Sequence, residues 1–162
     1  MPKKSDPVPS VVDRHDRAIL RILQHDNKTP QRTIAEEVNL SAAAVQRRIA
    51  AMEASGVIAR NVAVVDPDAV SATITAIVEI HLVDERAPTA DKAKALFRAA
   101  PEVQQCYYVT GGISFVLIIV APDMRSYERL TRKLFAENEL VKYYRTVIAL
   151  DRVKADTAIV IP

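Results

Sequence analysis

Ile34-Ala35-Glu36-Glu37-Val38-Asn39-Leu40-Ser41-Ala42-Ala43-Ala44-Val45-Gln46-Arg47-Arg48-Ile49 is the stretch whose reading decides the fold of the first half. Ile34, Ala35 and Val38 recur at helical spacing and give a short helix one apolar face. Asn39-Leu40-Ser41 then reads as a turn of three residues. Ser41 is placed to cap a third helix running to about Ser55, and Gly56 stands where a left-handed stop is expected. Upstream, Asp13 is a plausible N-cap with Asp16 in the first turn. Val12, Ile19, Leu20 and Leu23 continue a helical stripe to about Gln24. His25-Asp26-Asn27-Lys28 is a polar loop, and Thr29-Pro30 reads as a capping hydroxyl before a proline at the first helical position. Three short helices with a tight turn before the third spell a helix-turn-helix.

At about 100° per residue, the third helix turns Val45, Ile49 and Met52 toward the other two. Ala43, Arg47, Ala50 and Ala54 fall opposite, flanked by Ala44 and Gln46. Small side chains let a helix backbone approach another surface, and alanine methyls can touch thymine methyls in a major groove. Arg47 could read a guanine or hold a phosphate, and Arg48, beside the core stripe, is better placed for a phosphate. Ser41, Ala43, Ala44, Gln46, Arg47 and Arg48 are therefore the candidate contacts to double-stranded DNA. The competing reading is a surface helix of a protein-binding bundle.

Beyond Gly56 the period changes. Residues 57–65 read as a strand broken by Asp66-Pro67-Asp68. Thr73 to Val83 is β-rich. A helix from about Thr89 places Ala93, Leu96, Phe97 and Ala100 on one face and ends at Pro101. Val103 to Thr110 and Ile113 to Val120 read as strands joined by a tight Gly111-Gly112 turn. Pro122-Asp123 opens a helix aligning Tyr127, Leu130 and Leu134. Val141 to Leu150 is a further strand, and Thr157 to Ile161 a candidate last one. The order β-α-β-β-α-β is that of a ferredoxin-like sandwich, so the fold class is α+β. One sheet face is left uncovered, and self-association is the simplest way to bury it. The chain divides into a flexible tail at 1–11, a winged-type helix-turn-helix at 12–60, a linker strand at 61–71 and the sandwich at 72–162.

Composition narrows the function classes. The 162 residues include 3 glycines, where average usage of about 7% would give roughly eleven, so a glycine-rich phosphate loop is excluded. No run approaches the length needed to span a bilayer, and the first residues lack the apolar core of a signal peptide. A single cysteine, Cys106, excludes an internal disulfide framework and fits a reducing cytoplasm. Net charge is +2, with its basic excess in the first 60 residues, where an anion-binding module is sought first.

Both halves resemble the Lrp/AsnC, or feast/famine, family of regulators over roughly residues 12–155. The likeness rests on Asp13 to Leu20, Ile34 to Ser41, Val45 to Ile49 and Glu53 to Ile58 in front. Behind, it rests on Val103 to Gly111, Tyr127 to Leu130, Val141 to Thr146 and Val153-Lys154. The resemblance implies a DNA-binding transcriptional regulator whose C-terminal domain senses small molecules, typically amino acids. It implies dimers formed through the sheet and commonly assembled into octamers; no metal or other cofactor is expected from the residues. It places the effector between subunits, around Tyr108, Thr110, Gly111, Gly112, Ser114 and Thr146. Backbone N–H groups around a Gly-Gly turn are open to a carboxylate on physical grounds as well. One departure stands out. Many relatives carry an aromatic-Asp pair where this chain has Ile113-Ser114, so the carboxylate that could pair with a ligand ammonium group is missing. A different effector, or weak binding of an ordinary amino acid, is one expectation; the other is that Ser114 only finishes the turn.

Enzymatic residues are scarce. His15, His25 and His81 have no metal-ligand spacing, and Cys106, alternating along a strand, is expected to pack. Glu79, His81 and Asp84 read as an exposed polar row. The alternatives are an enzyme like the haem-biosynthesis decarboxylases of related fold, and a stand-alone sensor with a degenerate helix-turn-helix. On the favoured reading, a dimer sets two third helices in successive major grooves about 34–36 Å apart. Few base-reading side chains per helix leave much of the specificity to DNA bending.

Overall fold

A computed structural model describes residues 12–162; the tail expected at 1–11 lies outside the described residues. The chain forms two compact units. One comprises residues up to Ala63 together with Ala155–Pro162, and the other Val64–Lys154.

In the first unit, α1 (Arg14–His25), α2 (Gln31–Val38) and α3 (Ala42–Ala54) surround one small core. Ile19, Ile34 and Val45 are fully buried in it with Ala35, Val38 and Met52, and Ile49 and Leu23 close its edge. The caps explain where these helices start. Asp13 accepts from the backbone N–H groups of His15 and Asp16, and Asp16 accepts in return from the Asp13 N–H, forming a reciprocal capping box. Ser41 Oγ accepts from the Ala44 N–H at 3.2 Å. The expected Thr29 cap does not form. Pro30 is the N-cap of α2, and the Thr29 hydroxyl turns back to donate to the Asp26 carbonyl at 2.8 Å. Asn39 takes the left-handed conformation (φ +55°) that ends α2, and Gly56 (φ +79°) does the same after α3.

The capping box of α1 is also a docking point. Arg48 Nη1 donates to Asp13 Oδ2 and Asp16 Oδ1, both at 2.8 Å, so α3 is tied to the start of α1 across a partly buried ion triad. The tail joins the same helix. Gln24 exchanges two hydrogen bonds with the backbone of Ile159, and Arg17 and Arg21 donate to the carbonyls of Ile161 and Pro162. No strand forms at 157–161. This segment belongs with the helical unit rather than with the sheet, because side chains of α1 satisfy its backbone. Residues 57–65 form no ladder either: no neighbouring strand pairs with them among the described residues, and Val62, Val64 and Val65 are exposed.

The second unit is a four-stranded antiparallel sheet. It contains β1 (Ile74–Leu82), α4 (Ala87–Ala99), β2 (Val103–Tyr108), β3 (Phe115–Ala121), α5 (Met124–Thr131) with a following π turn (Arg132–Ala136), and β4 (Val141–Ile148). The strand order is β2-β3-β1-β4, as a ferredoxin-like sandwich requires. Alternation assigns the two faces. Val78, Ile80, Phe115, Leu117 and Ile119 are fully buried with Ala93 and Phe97 of α4 and with Leu134 and Phe135 of the π turn. The opposite face carries Ile77, Val116, Ile118, Val120 and Val147, of which Ile77 and Val147 are 38% and 46% exposed. Helix α4 begins at Ala87, two residues before Thr89, because Pro88 is accommodated in its first turn. No helix of the described residues is long and apolar enough to cross a membrane.

The ion triad carries a pH signature. Asp13 is held below its ordinary value of 3.8, chiefly by the Asp16 N–H and further by Arg48 and the His15 N–H, against the opposing effect of desolvation. A carboxylate so depressed stabilises the folded form at pH above its unfolded value and loses that contribution as pH falls through the lower folded value. Asp13→Asn is therefore expected to lower the melting temperature at pH 6 and to narrow the gap from wild type below about pH 4, followed by circular dichroism at 222 nm. An unchanged gap at pH 6 and pH 3 would contradict the triad.

Candidate nucleic-acid interface and effector site

The outward face of α3 matches the sequence reading closely. Ala43, Gln46, Arg47, Ala50 and Ala54 are exposed, Ala44 is half-buried, and Val45 and Met52 point inward. Ser41 is exposed at the start of the helix with its hydroxyl used as the cap. Arg47 has no hydrogen-bond or ion-pair partner among the described residues, so its guanidinium is free to meet an anion. Arg48 differs. The sequence points to it as a phosphate contact, but its Nη1 bridges two carboxylates and its side chain is only 30% exposed. The hydrogen bonds it donates, to Asp16 first and Asp13 second, push its pKa further up. The structure makes Arg48 a group that fixes how α3 leaves the core. One step along the helix separates a free cation from a neutralised one.

In the second unit the glycines sit in a loop wider than a two-residue turn. Residues 109–114 connect β2 to β3, closed at the base by the Val109 N–H donating to the Ser114 carbonyl at 3.1 Å. Gly111 and Gly112 have φ of +103° and +89°, and an added Cβ would meet nothing within 4 Å. Backbone conformation, not crowding, is what demands glycine at both positions. Both are exposed, as is Thr110. Tyr108 packs its ring against Phe115 under the Lys94 ammonium, which lies 4.8 Å from the ring centroid.

Ser114 is 1% exposed. Its N–H donates to the Ile80 carbonyl at 2.9 Å, its Oγ accepts from the Leu82 N–H at 2.9 Å, and its hydroxyl donates to Glu85 Oε1 at 2.5 Å. The sequence reading found a missing carboxylate at this position, and the fold supplies one from the β1–α4 loop. Nothing in the sequence around Glu85 marks it for this position. Thr146 is not brought to the loop in this chain. It lies on β4, two strand spacings from β3 and so about 10 Å across the sheet. There it shares a 2.6 Å hydrogen bond with the Tyr127 hydroxyl, whose pKa is pushed up by burial and moderated by that bond.

The remaining polar residues have structural partners. Glu79 pairs with Arg145 at 3.1 Å and His81 stacks on Tyr143, both on the open sheet face. Asp84 binds Arg86, which with Thr89 holds its carboxyl well below the usual range. Cys106 was expected to pack but is exposed, because β2 is an edge strand. Partial desolvation still pushes its thiol pKa up against the opposing influence of Arg98.

Comparison with known proteins accounts for both units. Residues 12–59 match the winged helix-turn-helix DNA-binding family, and residues 75–159 match the Lrp/AsnC ligand binding domain. An HTH-type transcriptional regulator from Sinorhizobium fredii is 41% identical over 148 residues, covering 91% of this chain and 88% of the relative. The crystal structure of an AsnC family transcriptional regulator from Agrobacterium tumefaciens superposes with a TM-score of 0.84 at 32% identity, over 91% of this chain and 95% of that one. A feast or famine regulatory protein from M. tuberculosis, complexed with L-methionine, superposes at 0.82 with 30% identity, over 93% of this chain and 99% of that one.

Because the glycine requirement is conformational, Gly111→Ala and Gly112→Ala are each expected to cost about 1–2 kcal/mol in chemical denaturation. Any ligand response should weaken while DNA affinity stays within twofold. Equal loss of both, measured side by side, would place the loop in the DNA-binding machinery instead.

Proposed function

The chain belongs to the Lrp/AsnC family of transcriptional regulators, and we propose that it is a cytoplasmic homo-oligomer that binds DNA through α3 and senses an amino acid at the 109–114 loop. The observation that carries the DNA-binding part is the exposed, alanine-lined face of α3 with the unpaired Arg47 at its centre. Alanines allow close approach, Arg47 offers two parallel donors to a guanine edge or a phosphate, and the Arg48 triad holds the helix at a fixed angle. The three-residue turn 39–41 presents the N-terminal end of α3, the end that meets base edges in this motif.

Sensing rests on different groups. The open N–H groups around Gly111 and Gly112 suit an anionic carboxylate. The L-methionine complex of the M. tuberculosis relative supports an amino acid as the ligand class here. The bare sheet face is covered by a second copy, which sets two α3 helices on one duplex, and dimers assemble further toward an octamer. An effector bound near a subunit boundary changes DNA binding only by preferring one arrangement of subunits over another.

Fluorescence anisotropy on the DNA upstream of the protein's own coding sequence tests this, with and without each of the twenty amino acids. Arg47→Ala is expected to weaken binding about tenfold or more, from the 1–3 kcal/mol of one bidentate contact, with the melting temperature unchanged. Arg48→Ala is expected to lower the melting temperature as well. Wild-type affinity in Arg47→Ala would overturn the assignment of α3.

A further inference from the structure

Glu85 is the loop carboxylate without a counter-ion. Its neighbour Asp84 is neutralised by Arg86 at 2.7 Å, and Lys94 is committed to Asp91 at 2.9 Å. No cation pairs with Glu85 among the described residues. Neutral donors position it instead: Ser114 Oγ at 2.5 Å on Oε1, and the Tyr108 hydroxyl at 3.4 Å on Oε2. The Ser114 bond has a forced direction. The serine oxygen already accepts from the Leu82 N–H, so its single proton goes to the carboxylate. At 1% exposure the serine cannot swing away, so an otherwise exposed glutamate is anchored at one point. That point is the base of the loop whose Gly111 and Gly112 backbone stands open.

We infer that Glu85, held by Ser114, binds the ammonium group of the effector and confines this sensor to ligands that carry one. A carboxylate donated across the fold does the work for which position 114 itself has no charge. The exposed N–H groups of the loop and the carboxylate anchored at its base are the two complements a zwitterion needs: the ligand's carboxylate meets the backbone and its ammonium meets Glu85. Ser114 is then a positioning residue. This inference rests on the reading of the 109–114 loop as the effector site.

The test pairs each amino acid that stabilises the full-length protein in a thermal-shift screen with the matching acid lacking its amino group. L-Leucine with 4-methylpentanoate and L-methionine with 4-(methylthio)butanoate are two such pairs. Wild type is expected to bind the amino acid and reject its partner. Glu85→Gln should lose about tenfold or more in amino-acid affinity by calorimetry, as expected for a charge-assisted hydrogen bond, and should no longer distinguish the pair. Ser114→Ala should lose less, in the same direction, while Glu85→Asp recovers part of the discrimination. The ligand-free melting temperature of each variant is read beside that of wild type as the control for folding. Undiminished affinity and discrimination in Glu85→Gln would overturn this inference alone. A wild-type protein that responds to none of the twenty amino acids would overturn the effector reading and this inference with it.

Discussion

The arrangement of this protein depends on a sheet that has helices on one face only. Alternation along β1 and β3 sends Val78, Ile80, Phe115, Leu117 and Ile119 into a closed core, and the same alternation must send Ile77, Val116, Ile118 and Val120 the other way. With Val147 of β4, these apolar residues lie on the three adjacent strands β3, β1 and β4 as one patch, not scattered surface positions, and such patches mark association sites. On our proposal a second copy covers it, the polar pairs Glu79–Arg145 and His81–Tyr143 giving the face orientation as well as adhesion. Pairing turns a single recognition helix, with one free arginine, into two helices on a shared frame.

The two ends of the chain solve a common problem in different ways. In the helical unit a small core leaves little apolar area to orient α3, and an ion triad supplies the missing constraint. At the sheet, the junction of β1, β3 and the following loop is fixed by one buried hydroxyl that bonds to Leu82 and Glu85 at once. In each case a charged residue is positioned by a partner distant in sequence. On our proposals Arg47 and Glu85 are the groups that meet a ligand, while Arg48 and Ser114 hold the surrounding geometry.

Much of this was legible in the sequence. Asp13, Ser41 and Gly56 mark helix ends through local chemistry, and each does so in the structure. Helical spacing identified Val45 and Met52 as core, and strand alternation found all four strands of the sheet. What escaped needs three dimensions. Arg48 and Arg47 look alike in sequence, and only the approach of α1 separates them. Cys106 was expected to pack because alternation does not say which strand is the edge. Glu85 lies 29 residues from Ser114, and no periodicity connects them. Residues 57–65 have strand composition, but a ladder needs a neighbour, and composition cannot provide one.

Sedimentation equilibrium of the wild-type protein beside Ile118→Lys tests the central claim, that the bare sheet face is an interface between copies. The expected result is a wild-type mass at an even multiple of the 17.9 kDa chain, with Ile118→Lys shifted toward the single-chain mass and its helical circular dichroism retained. A wild-type protein that sediments as one chain at micromolar concentration, or a variant whose mass is unchanged, would contradict it.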